Sequence, residues 1–288
     1  MYTFIVNPAA GNGKAKQAAR QIEDEMRGRG LPFRMLMTER PGQAVELASE
    51  AAQMDGCQCI VAVGGDGTAY EVACGLMDSG VPMGIIAAGT GNDFIKTIGT
   101  PGDVIEALAF ILMHPARPVD VGRLNDRLFI NVSGTGFDVQ VLECMEDAKK
   151  VFHGIWPYLI GIVRAIFRYQ PVHVAWTVDG VSREQDVLLC AVANGRYIGG
   201  GIPICLEAMP DDGLLDLIVV ENKPRWMIPF YLPGLLMGRV LRFPFTTHQR
   251  CREVTMVSPG MHMNIDGEVK AMDEARFTVM PGALMLHW

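Results

Sequence analysis

Three glycine-rich segments hold the residues best suited to chemistry: NPAAGNGK (Asn7–Lys14), GGDGT (Gly64–Thr68) and GTGNDF (Gly89–Phe94). Each follows a short apolar run that reads as a strand. Glycine lets backbone come close to a phosphate, and N–H groups at the start of a following helix favour negative charge. One such loop is weak evidence, because GNGKAK fits neither the dinucleotide fingerprint nor the Walker pattern. Three at equivalent strand ends amount to a phosphate cradle. Asp66 and Asp93 stand in two of these loops. A carboxylate beside a phosphate repels it unless a cation lies between, which calls for Mg²⁺. Taken by itself, Asp66 reads as well as a turn residue or helix N-cap.

Alternating elements position these loops. YTFIVN, PFRMLMT, CIVAVGG and PMGIIAAG are strand-like; KAKQAARQIEDEMRGRG, GQAVELASEAAQM, AYEVACGLM and PGDVIEALAFILMH have helical spacing. That alternation predicts a parallel sheet with crossover helices, and in such sheets ligands bind beyond the carboxyl ends of the strands. After Pro118 the pattern changes to alternating and β-branched segments such as VHVAWTVDGVSREQDVLLCAVAN, LLDLIVVEN, EVTMVSP, MHMNIDGEVK and ARFTVMPGALMLHW. These predict an antiparallel, β-rich region. The expected organisation is a first domain over 1–119, with the tail 281–288 packing back on it, and a second over 120–280. No Ser/Gly-rich linker separates them.

The chain has 288 residues and a formal net charge of −7, which argues against a nucleic-acid partner. Seven cysteines without a CxxC pair form neither a disulfide framework nor a zinc motif, and they suit a reducing, cytoplasmic compartment. No serine sits in a GxSxG elbow, and the six histidines lack metal-binding spacing. Two stretches contain no acid and many large apolar groups. One runs from Ala148 to Val178 with Lys149, Lys150, Arg164 and Arg168; the other runs from Asn222 to Arg252 with Lys223, Arg225, Arg239, Arg242, Arg250 and Arg252. Their apolar parts fall short of the roughly 20 residues a spanning helix needs, and both contain proline. Peripheral contact with an anionic membrane surface is one reading; core helices with basic outer edges are the other.

GGDGT, with NPAAGNGKA upstream and GTGNDF downstream, resembles the diacylglycerol kinase catalytic family in its bacterial soluble lipid-kinase branch. The resemblance continues through VDVGRLNDRLFINVSGTGFDV, NGRYIGGG, PDDGLLDLIVV and NIDGE, and so covers nearly the whole chain in family order. It implies an N-terminal α/β nucleotide-binding domain like that of NAD kinases and phosphofructokinases, and a C-terminal antiparallel β-sandwich-like domain. It also implies transfer of the γ-phosphoryl of ATP to a hydroxyl of diacylglycerol or a similar membrane lipid, giving phosphatidic acid or an analogue.

Residue by residue, the resemblance assigns the nucleotide pocket to Asn7, Gly11, Asn12, Gly13, Thr38, Gly64, Gly65, Asp66, Gly67, Thr68, Thr90 and Asn92. It makes Asp66, Asp93 and Asp120 the acidic network around the nucleotide's Mg²⁺. Asp266 becomes the general base, with Glu268 the adjacent candidate; from the residues alone, IDGE is also an ordinary β-turn. A structural Mg²⁺ would take Asp212 and the carbonyl of Leu214. Met209 stands where another acid is expected and is a poor Mg²⁺ ligand, so Glu207 or Asp211 would have to be recruited. An NAD kinase and a non-catalytic nucleotide or lipid sensor are the competing readings. An exposed strand edge in the β-rich domain could pair two chains as a homodimer.

Overall fold

A computed structural model describes residues 1–149 and 156–288. Residues 150–155, which include Lys150 and part of the first basic apolar stretch, lie outside the described residues. Two compact units divide the chain: Met1–Val121 with Pro281–Trp288, and Gly122–Met280.

Unit 1 alternates β1 (Tyr2–Val6), α1 (Lys14–Gly28), β2 (Phe33–Met37), α2 (Gln43–Ala52), β3 (Cys59–Gly64), α3 (Asp66–Leu76), β4 (Met83–Ala87), α4 (Asp93–Ile98) and α5 (Val104–Met113). The strands pair in parallel in the order β4-β3-β1-β2, and Leu286, near the far end of the chain, pairs in parallel with Met83. Helices cover both faces, so β3 is buried along its whole length and reads as a continuous apolar run. On α1 the buried residues Ala15, Ala18, Ala19, Ile22 and Met26 follow helical spacing. They pack with Val61, Val63, Ile86, Leu108 and Ile111 in one core cluster. Full burial of a side chain such as Ile22 contributes about 1.5–3 kcal/mol. On α2 and α3 small residues do the equivalent work: a Cβ on Gly75 would meet Val45 O at 2.4 Å, so the two helices could not pack this closely with a larger residue there.

Helix α4 departs from the expected loop at GTGNDF. Six residues are too few to show a 3.6-residue period. Tertiary contact anchors the helix instead, because the N–H of Phe94 donates to Asp66 Oδ1 at 3.2 Å.

Strand β5 (Arg117–Leu124) leads into unit 2. There follow β6 (Arg127–Phe129), β7 (Val132–Gly136), α6 (Phe137–Lys149), α7 (Trp156–Arg168), β8 (Val172–Val178), β9 (Val181–Ala193), β10 (Tyr197–Ile198), β11 (Ile202–Pro203), β12 (Leu215–Glu221), α8 (Ile228–Leu236), β13 (Thr246–Cys251), β14 (Glu253–Ile265) and β15 (Glu268–Leu286). Strands β13-β12-β9-β7-β14-β15 lie in that order, and β8 pairs with both β9 and β14, all antiparallel. Strand β9 shows why both faces are buried. Cys190 and Val192 point into one cluster with Trp176, Leu217 and Phe277, while Leu189, Ala191 and Ala193 point into another with Ile218, Val220 and Val240. That is the period of two expected of a strand.

Two boundaries differ from the sequence reading. EVTMVSP and MHMNI are one strand, β14, joined across a register shift between Val257 and Met261. TTHQRC, polar and half-buried, is the strand β13, held by its ladder to β12 and not by apolar patterning. The fold class is the expected one, an α/β unit with a parallel sheet and a β-rich antiparallel unit.

Candidate active site

The three glycine loops of unit 1 meet at the carboxyl ends of its strands. Gly11 has φ +59°, and a Cβ there would sit 2.0 Å from Ala88 O; a Cβ on Gly89 would sit 2.4 Å from Gly65 Cα. Backbone can approach backbone this closely only where side chains are missing. Around this junction lies a cavity of about 490 Å³ lined by Asn7, Gly11, Thr38, Gly65, Gly67, Thr68 and Thr90 among the predicted residues. The amide of Asn7 donates to Thr68 Oγ1 at 3.3 Å, tying the first loop to the second. Helix α3 begins at this wall with Gly65 as its N-cap and no side-chain cap. Its first-turn N–H groups therefore offer donors and the positive end of the helix dipole to an anion.

The remaining predicted pocket residues lie elsewhere in unit 1. Asn12 and Gly13 hold the positive φ of the turn that starts α1, and Gly64 ends β3. Asn92 lines a neighbouring hollow of about 570 Å³ with Lys14, Lys96 and Thr100. Arg40 and Glu71 are among the lining residues that escaped the sequence reading. Arg40 stands two residues after Thr38 and pairs with Glu46. Glu71 takes the N–H groups of Gly42 and Ala44 at 2.9 and 3.1 Å, so α3 caps the start of α2 across the cavity wall. The only available signal was position, one turn into α3 for Glu71 and just past a strand end for Arg40.

The three carboxylates expected around Mg²⁺ each have protein partners. Asp66 accepts from Phe94 N–H; buried Asp93 lies 3.5 Å from Lys96 Nζ; buried Asp120 accepts from Gly282 N–H at 2.8 Å. They are not among the groups of three metal-ligating side chains whose donor atoms converge within 4.8 Å, as judged among the described residues. This arrangement does not fit an all-protein cage. It does fit Mg²⁺ carried in by a nucleotide and held partly through water, the usual state of that ion.

In unit 2, Asp266 occupies the β14–β15 turn with φ 47°. Its Oδ2 accepts from Ile130 N–H at 2.7 Å, and its Oδ1 from Asn131 and Val132 N–H at 3.1 and 3.0 Å. Charge-assisted bonds of this kind fix the carboxylate's orientation. Glu268 is 65% exposed at the side chain and stands 3.8 and 3.9 Å from Arg127 and Lys270. Asp212 accepts from Leu214 N–H at 2.9 Å and pairs with the Arg250 guanidinium. The charge a structural cation would supply is already there, and Met209 is half-exposed nearby in sequence. The Arg250 guanidinium thus competes for the carboxylate with the structural Mg²⁺ expected at Asp212 and Leu214.

No helix among the described residues is long and apolar enough to cross a membrane. Within unit 2, the second basic apolar stretch forms α8, its flanking turns and β13, and leaves Trp226 67% and Phe230 75% exposed. An apolar hollow of about 60 Å³ lies beneath α8, lined by Phe137, Val141, Ile162, Leu232, Leu235 and Phe243, with Asp138 as its one carboxylate. Burial raises the Asp138 carboxyl above its ordinary range, opposed by the hydrogen bond it accepts from Asn264.

Comparison with known proteins gives this geometry its context. The diacylglycerol kinase catalytic domain family matches residues 1–124, and the family described as a YegS C-terminal NAD kinase beta sandwich-like domain matches residues 131–288. A Pseudomonas putida protein named "Probable lipid kinase YegS-like" is 34% identical over 284 residues, covering 96% of this chain and 92% of the relative. A Mycobacterium tuberculosis protein named "Diacylglycerol kinase" is 28% identical over 291 residues, covering 99% and 94%. The solved structure of a diacylglycerol kinase from Bacillus anthracis str. Sterne shares the fold, with a TM-score of 0.77 at 24% identity over 100% of this chain and 96% of that one. With one family model on each of its two parts and relatives matching along its length, this chain belongs to the diacylglycerol kinase family and is an enzyme of the lipid-kinase class.

Proposed function

We propose that the chain transfers the γ-phosphoryl of ATP to a hydroxyl of diacylglycerol or a closely similar membrane lipid. The observation that carries the nucleotide half is the cavity at the three glycine loops, bordered by the uncapped start of α3. Backbone N–H groups of Gly67 and Thr68 bind the phosphates, and the close Gly65–Gly89 contact keeps the floor of the site free of side chains. Mg²⁺ bound with the nucleotide would neutralise phosphate charge, held largely through water by Asp66, Asp93 and Asp120.

A lipid hydroxyl is a weak nucleophile at neutral pH and needs a base within hydrogen-bond reach. Asp266 takes its proton as the hydroxyl oxygen bonds to the γ-phosphorus and the bond to the β-phosphate oxygen breaks, releasing ADP. The three backbone N–H groups hold its carboxylate against rotation, two of them on Oδ1 and one on Oδ2. On the lipid side, the supporting feature is the apolar hollow under α8 beside exposed Trp226 and Phe230. At about 60 Å³ it is below ordinary ligand-pocket size, so an acyl chain enters only when α8 moves outward. Pro233 inside that helix removes one backbone hydrogen bond and eases the movement.

The testing experiment is ³²P transfer from labelled ATP, with Mg²⁺, into a panel of lipids in mixed micelles, with NAD as a separate acceptor. Label in a glycerolipid carrying a free hydroxyl is the expected result; label in NAD alone would overturn the reading. Membrane contact is checked separately. Arg239→Glu with Arg242→Glu should reduce co-sedimentation with anionic vesicles by at least about tenfold, at roughly 1 kcal/mol per basic residue plus the added repulsion. Unchanged sedimentation would assign those arginines to unit 2's own packing.

A further inference from the structure

One cluster of donor groups in unit 2 has no part in the reaction above. Among the described residues, Cys205, Asp216 and His248 are the one group of three metal-ligating side chains whose donor atoms all lie within 4.8 Å of one another. His248 Nε2 stands 2.6 Å from Asp216 Oδ1 and 4.0 Å from Cys205 Sγ. The β12–β13 ladder sets two of them in place. Asp216 lies opposite Arg250 and Ile218 opposite His248, so Asp216 and His248 are diagonal neighbours on one face. Cys205 arrives from the segment after β11, which is pinned by Ile204 and Cys205 N–H groups donating to Arg196 O at 2.9 and 3.2 Å. The thiol and carboxylate are buried and the imidazole is partly exposed, so the cluster is reached from the histidine side.

The geometry decides between two kinds of chemistry. In a nucleophile–base–carboxylate relay the nucleophile and the carboxylate engage opposite ring nitrogens. Here thiol and carboxylate both face Nε2, so the histidine cannot accept from one while donating to the other through separate atoms. A sulfur, an oxygen and a nitrogen facing a common point are instead what a tetrahedral metal site presents. Bonds of about 2.0–2.3 Å put its ligand atoms roughly 3.2–3.8 Å apart, which needs only small movements from the separations found here. The other ring nitrogen, Nδ1, lies 3.6 Å from Glu207 Oε2. A ligating histidine ordinarily has such an outer carboxylate.

We propose that Cys205, Asp216 and His248 bind one divalent cation of the zinc class, with Glu207 holding the Nδ1 proton and water completing the coordination. A thiolate and an imidazole among three ligands favour zinc over magnesium or calcium. Binding releases the Cys205 thiol proton and any proton on His248 Nε2 to solvent, and leaves the imidazole N–H on Nδ1, on the side of Glu207. Before binding the sulfur is a thiol, since burial pushes it up to about 12. The Arg250 guanidinium, 4.0 Å from Asp216 Oδ1 and paired with Asp212, opposes the cation's charge. The site should therefore exchange its metal and not lock it in.

The test uses the full chain, reduced and stripped with chelator, without nucleotide and with excess Mg²⁺ to occupy oxygen-only sites. Titration with Co²⁺ should give one equivalent bound per chain with a thiolate-to-cobalt charge-transfer band, and one equivalent of Zn²⁺ should bleach it. Cys205→Ser should remove the band, and Cys57→Ser, in unit 1, should leave it. Glu207→Gln, at an exposed side chain that does not threaten folding, should weaken Co²⁺ binding about 10–100-fold. No band in the unaltered protein, or a band that survives Cys205→Ser, would overturn the proposal.

Discussion

Asp266→Asn is expected to lower kcat by about 10²–10⁴-fold, the usual contribution of a positioned general base, while ATP affinity changes little. The substitution also perturbs structure, and the two effects separate. An asparagine amide can point its oxygen at Asn131 and Val132 N–H, where Asp266 Oδ1 now accepts. Its NH₂ then faces Ile130 N–H, which lies 2.7 Å from Oδ2 in the native protein. Two donors meet, and leaving a partly buried donor unsatisfied costs about 1–3 kcal/mol. Denaturation and steady-state kinetics should be measured on the same preparation. Loss of rate well below the denaturation midpoint, with nucleotide still bound, is the expected outcome. Glu268→Gln serves as the comparison: its carboxylate is exposed, and its cationic neighbours stand at 3.8 and 3.9 Å, so its loss should cost under about tenfold. The opposite ranking would transfer the role of base to Glu268 and leave Asp266 as the staple of a turn.

That double role explains how much of the site was legible in the chain alone. IDGE reads from composition as a β-turn, and the structure has that turn, with Asp266 in the left-handed region. Nothing local announces that its carboxylate collects three N–H groups from residues 130–132, because that contact spans more than 130 positions. The glycine loops were legible for the opposite reason. Their meaning is local, since missing side chains after a strand point to a close approach, and Gly11 against Ala88 and Gly89 against Gly65 are such approaches. Elements with strong periodicity, such as α1 and β9, follow from sequence, whereas α4 and β13 depend on partners their own residues do not reveal. The Cys205–Asp216–His248 cluster is the extreme case. Its members are 11 and 32 positions apart and have no motif spacing, so only the β12–β13 register assembles them.

Gly67→Ala and Gly89→Ala separate what the glycines do for folding from what they do for nucleotide. A Cβ on Gly89 would meet Gly65 Cα at 2.4 Å and Asn92 Oδ1 at 2.8 Å, and neither neighbour can yield without moving a loop. That variant should lose about 1–3 kcal/mol of stability through overpacking, and nucleotide affinity should fall with it as the loops part. Gly67 is different. It lies in the first turn of α3 and lines the cavity, and a Cβ there meets nothing within 4 Å. Packing gives no reason for a glycine, and within a helix glycine costs roughly 0.5–1 kcal/mol relative to alanine. Gly67→Ala should therefore keep or raise the denaturation midpoint while raising the KM for ATP by about tenfold or more, since a displaced phosphate loses at least one charge-assisted hydrogen bond of about 1.5–3 kcal/mol. Such a residue gives up helix stability to leave room for a ligand, so the sign of the stability change is as informative as the kinetics. A variant that is more stable and still binds ATP normally would mean the phosphates lie elsewhere along the cavity, nearer Asn7 and Thr38.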